Sequence, residues 1–353
     1  MDSAPSQISL CQALDVQFPK DNECLVQLPE DICYGNATVG GLIACIMSKY
    51  ALSYASEHPK TKSQTTVHSA NVHFLRPVFP EHGRVALNLH ELSICRARST
   101  LSVELFQDGP KMCASAIVAV SDFSLPGITV STGWQLTPPP RPVNLDGLSS
   151  HSDPDWICYH PAFHTDGFLR AGSYAQIYVP TDGTHSSHYA EQWIAPGWDC
   201  SPAGSSSNEA RWTTDMLQFV VDIGLGIPQN LYPTSPNGPL PVGSSAATLE
   251  FAAAQKKARD AGETSWRLLA TDGSTVLHPQ LIHFTLSMST EVKKELPPDG
   301  VRWLYLRSEV KSIRNGRMDL EVLLCDQGME LVALSRQVAV LIPSMNKKRK
   351  NRL

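Results

Sequence analysis

The chain of 353 residues lacks most of the marks from which function is usually read. Its nine cysteines form an odd set with no CxxC or CxxxxC spacing, which disfavours a disulfide framework and a zinc site and suits buried thiols in a reducing compartment. Lys and Arg number 29 against 34 Asp and Glu, a net charge of -5, and the basic residues are scattered except at the extreme C-terminus. Nucleic acid is therefore not an expected partner. No apolar run approaches the roughly 18 residues of a membrane span, and Met1-Asp-Ser-Ala-Pro5 has no basic segment leading into an apolar core. No Gly-x-Ser-x-Gly elbow and no glycine-rich phosphate loop occur. His160-Pro-Ala-Phe-His164 and His185-Ser-Ser-His188 have metal-like spacings, but a proline spoils the first and neither has a third ligand at a persuasive distance. They read as loop histidines, and no metal or cofactor is expected.

What the chain does have is a repeat. Ser93-Ile-Cys-Arg-Ala-Arg98 leads to Leu101, Val103, Leu105 and a turn at Gln107-Asp-Gly109, and Ser312-Ile-Arg-Asn-Gly-Arg317 leads to Leu320, Val322, Leu324 and a turn at Asp326-Gln-Gly328. Val118-Ala-Val120 then meets Val338-Ala-Val340. Self-similarity at so long a spacing indicates one unit present twice, not a solenoid, whose period is roughly 20 to 50 residues. A hydrophobic content of 42% with 18% charged residues suffices for two cores.

Each copy runs through the same periodicities. Gly40-Gly41 opens an apolar stretch to Leu52 at helical spacing, followed by alternating runs at 71–75, 85–92, 100–106 and 113–120. Trp212, Met216, Phe219, Val220 and Ile223 form a second apolar stripe that stops at Gly224, Gly226 and Pro228, followed by runs at 281–290, 303–310, 318–325 and 331–342. The expected fold is α+β: a double hotdog, two tandem units each with a long central helix wrapped by an antiparallel sheet. The expected division is 1–123, a proline-rich linker 124–152, 153–343 and a basic tail 344–353. The linker centres on Pro138-Pro-Pro-Arg-Pro142, a composition that favours extended polyproline geometry. A strand is expected at 174–179, within an otherwise aperiodic stretch 156–204.

Tyr34-Gly35, Gly40-Gly41 with the helix after them, and Val72-His-Phe-Leu-Arg-Pro77 resemble the first half of acyl-CoA thioesterase II and its fungal thioesterase-like relatives. That family hydrolyses thioesters with a water held by an aspartate, a threonine and a glutamine of the second hotdog. The resemblance carries these roles to Asp222 in Val220-Val-Asp-Ile223, Thr285 in Ile282-His-Phe-Thr285 and Gln337 in Leu334-Ser-Arg-Gln337. Where the family strand continues to Phe-His-Arg-Pro, this chain has Val292-Lys-Lys-Glu295. The resemblance also implies a link to polyketide assembly, with acyl-CoA or an acyl carrier protein presenting the substrate.

The chemistry is consistent with those roles. Thioester hydrolysis needs a water partly deprotonated and aimed at the carbonyl, with donors for the developing oxyanion. A carboxylate at an apolar helix C-terminus is pushed towards higher basicity, which suits Asp222 as the base. Thr285 and Gln337 would orient the water. Gly41 and Leu42 are candidate oxyanion donors, since a glycine pair admits close approach to the backbone, and Tyr34 is grouped with them for substrate binding. Asp215 lies two turns before Asp222 on the same face, where it either shares the site or faces solvent.

Each residue also has a plainer reading: a loop-bonding aspartate, an ordinary strand threonine, a glutamine satisfying a neighbouring backbone. Two other functions stay open. One is a hotdog enzyme of different chemistry, a dehydratase, isomerase or cyclase, although the hydratase segment Gly-Asp-x-Asn-Pro-x-His is missing; the other is a non-catalytic acyl-binding protein. A monomer or homodimer is expected, in the cytoplasm, with Asn351-Arg-Leu353 a poor relative of a peroxisomal address.

Overall fold

The computed structural model describes residues 7–16, 18, 24–165, 167–182, 189–200, 207–224, 227–231, 240–268 and 281–343. The tail 344–353, His185 and His188, and Gly226 lie outside the described residues. In chain order the elements are α1 (Leu10–Leu14), β1 (Cys24–Val26), β2 (Cys33–Tyr34), β3 (Ala37–Thr38), α2 (Gly40–Glu57), β4 (Thr66–Phe74), β5 (Val85–Ser93), β6 (Arg98–Phe106) and β7 (Met112–Ser121). After the crossover come α3 (Leu145–Ser149), β8 (Trp156–Tyr159), β9 (Ala175–Pro180), β10 (Tyr189–Pro196), α4 (Leu217–Asp222), α5 (Pro228–Leu231), α6 (Ser245–Asp260), β11 (Leu281–Val292), β12 (Leu304–Arg314), β13 (Arg317–Cys325) and β14 (Leu331–Pro343).

The four alternating runs of each half became strands, and they join in one 12-stranded sheet of order β1-β5-β6-β7-β4-β11-β14-β13-β12-β10-β9-β8. The halves meet where β4 pairs antiparallel with β11, with Met288 opposite Val72 and Ser289 opposite Asn71. The repeat is visible at the level of ladder defects. Register breaks at Val67/Ser69, Glu91/Ser93 and Leu105/Phe106 recur at Thr285/Ser287, Val310/Ser312 and Leu324/Cys325. The Leu75 and Arg76 amides share the Cys113 carbonyl as those of Lys293 and Lys294 share that of Val332. Bulges bend a strand and increase its twist, so matched bulges wrap both halves of the sheet in the same way.

The helix α2 is buried nearly all round, from Gly41 to Ser48 without a gap. A helix enclosed by its own sheet has no solvated face to mark with charge, which explains its apolar run. It ends at His58, in extended geometry ahead of Pro59. The second helix is much shorter than its apolar stripe predicts. Trp212 is bridged to Val301 and fully buried, with its indole N–H donating to the Ile194 carbonyl at 3.3 Å, so it is tied to β10 and the segment before β12 and not to the helix. Only a 3-10 turn, Thr214–Met216, and the six residues of α4 remain, packed antiparallel against α2.

Beyond β12 the second half departs from the first. A strand does occupy the expected 174–179 region, as β9, but the position beside β12 that matches β1 beside β5 is filled by β10. β9 and β8 then extend the sheet, with α6, unmarked in the sequence reading, packed on β8. Leu136, Val143, Leu145 and Leu148 pack on Trp156, Tyr178, Trp193, Trp303 and Tyr305 on the sheet's other face. Arg307 Nη1 donates to the Pro138 carbonyl at 2.6 Å and Trp156 Nε1 to that of Pro142 at 2.8 Å. Arg141 Nε donates to Glu191 at 2.8 Å, and Glu191 also accepts from Tyr305 Oη at 2.7 Å and Arg307 Nη2 at 3.3 Å. The proline-rich crossover is thus strapped down over its second part, whereas Ile128 at 97% exposure projects fully into solvent.

Candidate active site

Antiparallel packing sets the C-terminus of α4 against the N-terminus of α2. Asp222, the last residue of α4, accepts a hydrogen bond from the Gly41 N–H through Oδ2 at 2.7 Å. The approach is possible because residue 41 has no Cβ: one placed there would lie 2.8 Å from Asp222 Cβ, the Gln218 carbonyl oxygen and Phe219 Cα. Burial pushes the Asp222 carboxyl up to about 6, and the Gly41 N–H opposes that rise by stabilising the anion. Asp222 Oδ1 has no protein partner among the described residues, and the side chain keeps partial exposure.

Gln337 sits on the inward face of β14, 5% exposed, and its Nε2 donates to the Val221 carbonyl at 3.1 Å. That carbonyl is one of the last of α4, which have no acceptor role inside the helix, so Gln337 caps the turn that presents Asp222. Thr285 reaches the same face through the bulge in β11. Met288 lies opposite Gln337, and counting back by twos would turn Leu286 inward. The extra residue between Thr285 and Ser287 instead sets Thr285 opposite Ala339, on the buried side. Thr285 and Gln337 are then diagonal neighbours, about 7 Å apart by strand geometry.

Matched bulges identify the counterparts in the first half. Val67 stands where Thr285 stands, and Val118, opposite Ala70, stands where Gln337 stands opposite Met288. The polar pair is present in one half only, so the chain has one candidate site.

The remaining residues lie as follows. Leu42 is fully buried, and its N–H is taken by the Val39 carbonyl at 3.2 Å; the Gly41 N–H is taken by Asp222. Tyr34 lies on β2, in the short hairpin before α2. Asp215 sits at the far end of the helix pair, 3.7 Å from Lys49 Nζ. His160 follows β8 in coil but is fully buried, with its Nε2 at 3.2 Å from the Ser173 carbonyl. Among the described residues no group of three or more His, Cys, Asp or Glu is placed to hold a metal, and no helix is long and apolar enough to cross a membrane. The sequence reading missed Gln218, whose signal was an amide inside the apolar stripe Leu217-Gln-Phe-Val-Val221.

Two antiparallel units on one continuous sheet, each wrapping a central helix, define a double-hotdog protein. Comparison of the sequence with known families gives its place within that class: the chain belongs to the acyl-CoA thioesterase family, with the N-terminal domain matching residues 28–121 and the C-terminal domain residues 142–341. It is similar to the thioesterase-like protein TwmA of Talaromyces wortmannii, 25% identical over 334 residues that cover 90% of this chain and 87% of that one. Among solved structures it is similar to a putative thioesterase II from Thermobifida fusca, with a TM-score of 0.61 at 18% identity, covering 94% of this chain and 97% of that one. It is also similar to a putative thioesterase from Novosphingobium aromaticivorans, with a TM-score of 0.58 at 12% identity, covering 94% and 100%.

Proposed function

We propose that the chain hydrolyses an acyl thioester with a water activated by Asp222 and oriented by Thr285 and Gln337. The observation that carries this reading is the Asp222 carboxylate, raised to about 6 and left with one oxygen free at the junction of two helices. A base with its pKa near the working pH combines ionised population with proton affinity. In the proposed step Asp222 takes a proton as the water oxygen attacks the thioester carbonyl. The C–S bond then breaks, the thiolate takes that proton back, and a carboxylic acid and a free thiol leave. With the Gly41 N–H committed to the carboxylate, the first N–H of α2, that of Gly40, is the donor available for the oxyanion.

Either coenzyme A or a carrier protein would present the acyl chain to Asp222. The test is release of free thiol from a panel of acyl-CoA thioesters of graded chain length. Steady release with some members of the panel is the expected result. A folded chain that releases none, from coenzyme A or from acylated carrier protein, would point to acyl binding or to another hotdog chemistry.

A further inference from the structure

The α2–α4 interface is apolar except for one seam. Asp215, Gln218 and Asp222 fall on a single face of the second helical segment, and Lys49, Ser48 and Gly41 face them from α2. At its centre Gln218 Nε2 donates to Ser48 Oγ at 2.6 Å, with Gln218 6% and Ser48 4% exposed. The other end of the amide, Oε1, is buried with no hydrogen-bond partner. An apolar residue at 218 would avoid that unmet acceptor. A polar side-chain pair buried in an otherwise apolar helix seam is the recognised device for fixing register, and it lowers stability.

We propose that the Gln218–Ser48 pair is a register pin that sets α4 along α2 so that Asp222 meets the Gly41 N–H, making Gln218 a positioning residue for the proposed hydrolysis. The proposal rests on the assignment of Asp222 as the base. Six residues of helix cannot hold their own geometry, so α4 depends on tertiary contacts for its axial position. The Gly41 contact demands accuracy: with backbone at 2.8 Å from a Cβ that is missing, sliding or rotation of α4 breaks the N–H to carboxylate bond. Gln337 fixes the end of α4 to the sheet, but it grips a carbonyl and does not define where the helix lies along α2.

Among the described residues few other groups reach Asp222. α2 brings Cys45, a buried thiol pushed well up, and Lys49, engaged with Asp215. β14 brings Gln337, while Arg336 bonds Glu321 at the surface. On β11 burial favours the neutral ring of His283, and the Asp222 shift is set by its own burial and by the Gly41 N–H. Loss of the Gly41 hydrogen bond therefore has one sign, a rise in the Asp222 midpoint.

The experiment compares wild type with Gln218→Met, which keeps length and volume, and with Ser48→Ala. The Asp222 carboxyl is titrated by carbon-13 NMR, its signal assigned by its loss in Asp222→Asn. Expected in both variants are a midpoint raised by about one pH unit and a kcat lowered about tenfold to a hundredfold for a misplaced base; the unfolding temperature is kept or raised in Gln218→Met and lowered in Ser48→Ala, which strands the buried amide. An unchanged midpoint overturns the proposal, and so does activity that falls only in step with unfolding temperature. If no thioester is cleaved, the NMR midpoints still test the pin, so failure of the function and failure of the pin are read separately.

Discussion

Replacing Asp222 by asparagine separates chemistry from folding at the site. The amide keeps the shape of the side chain and its oxygen can still accept from the Gly41 N–H, but it cannot take a proton. Thiol release should fall about 10²- to 10⁴-fold, the usual contribution of a general base. Stability should move the other way. The carboxyl rises from an ordinary 3.8 to about 6, so the native state binds its proton more tightly than the unfolded chain, and ionised Asp222 costs the fold about 3 kcal/mol at most. Stability linked to this group is therefore full below about pH 4, declines as pH rises through about 6, and stays low above that. Partial exposure of the carboxylate and the new amide N–H both reduce the gain. The assays are thiol titration and urea denaturation at pH 4.5 and 8. At pH 8 the variant should unfold no earlier than wild type, and its advantage should shrink at pH 4.5. A variant keeping more than about a tenth of the activity would refute the assignment of the base; one much less stable at pH 8 would refute the electrostatics.

Four further outcomes follow from the same geometry. The pH profile of kcat/KM should show an acid limb near pH 6, since only ionised Asp222 accepts the proton, and this limb should be absent from Asp222→Asn. Gln337→Ala should lower both activity and stability, the latter by about 1–3 kcal/mol in urea denaturation, because it leaves the Val221 carbonyl without its donor. Gly41→Ala should cost about 1–3 kcal/mol or more by calorimetry, as the new methyl meets the α4 backbone. Arg307→Met takes one of two cations from buried Glu191, which keeps Arg141 and Tyr305, and frees the Pro138 carbonyl, so it should cost about 1–3 kcal/mol in thermal denaturation while sparing the Asp222 midpoint.

Strands were legible in the sequence because a sheet with one buried face writes its period directly into the chain, as in Leu101, Val103 and Leu105. The repeat was legible for the same reason, down to the turns at Gly109 and Gly328. The short second helix was not: Trp212 continues the apolar stripe of Met216 and Phe219, and nothing local reveals that its indole anchors to β10 instead. β8 and β10 were obscured because they are buried on both faces, Trp156 to Tyr159 without an exposed residue, and so show no alternation. At the site, Asp222 could be placed at a helix end, but its partner is the amide of Gly41, far away in sequence and chemically anonymous. Nor does the sequence display the bulge that turns Thr285 inward in place of Leu286.

The strapped crossover has a consequence for how the protein tolerates damage and exchange. Its grip lies wholly on the C-terminal side, from Leu136 onward, so a protease reaching Ile128 cuts ahead of every fastening. The two fragments would remain associated through the β4–β11 ladder and the helix pair. For an intact chain to trade halves with a neighbour, the Glu191–Arg307 cluster or those same shared contacts would first have to open. The fusion thus favours self-pairing over swapping, with the exposed run 124–135 as a nicking point.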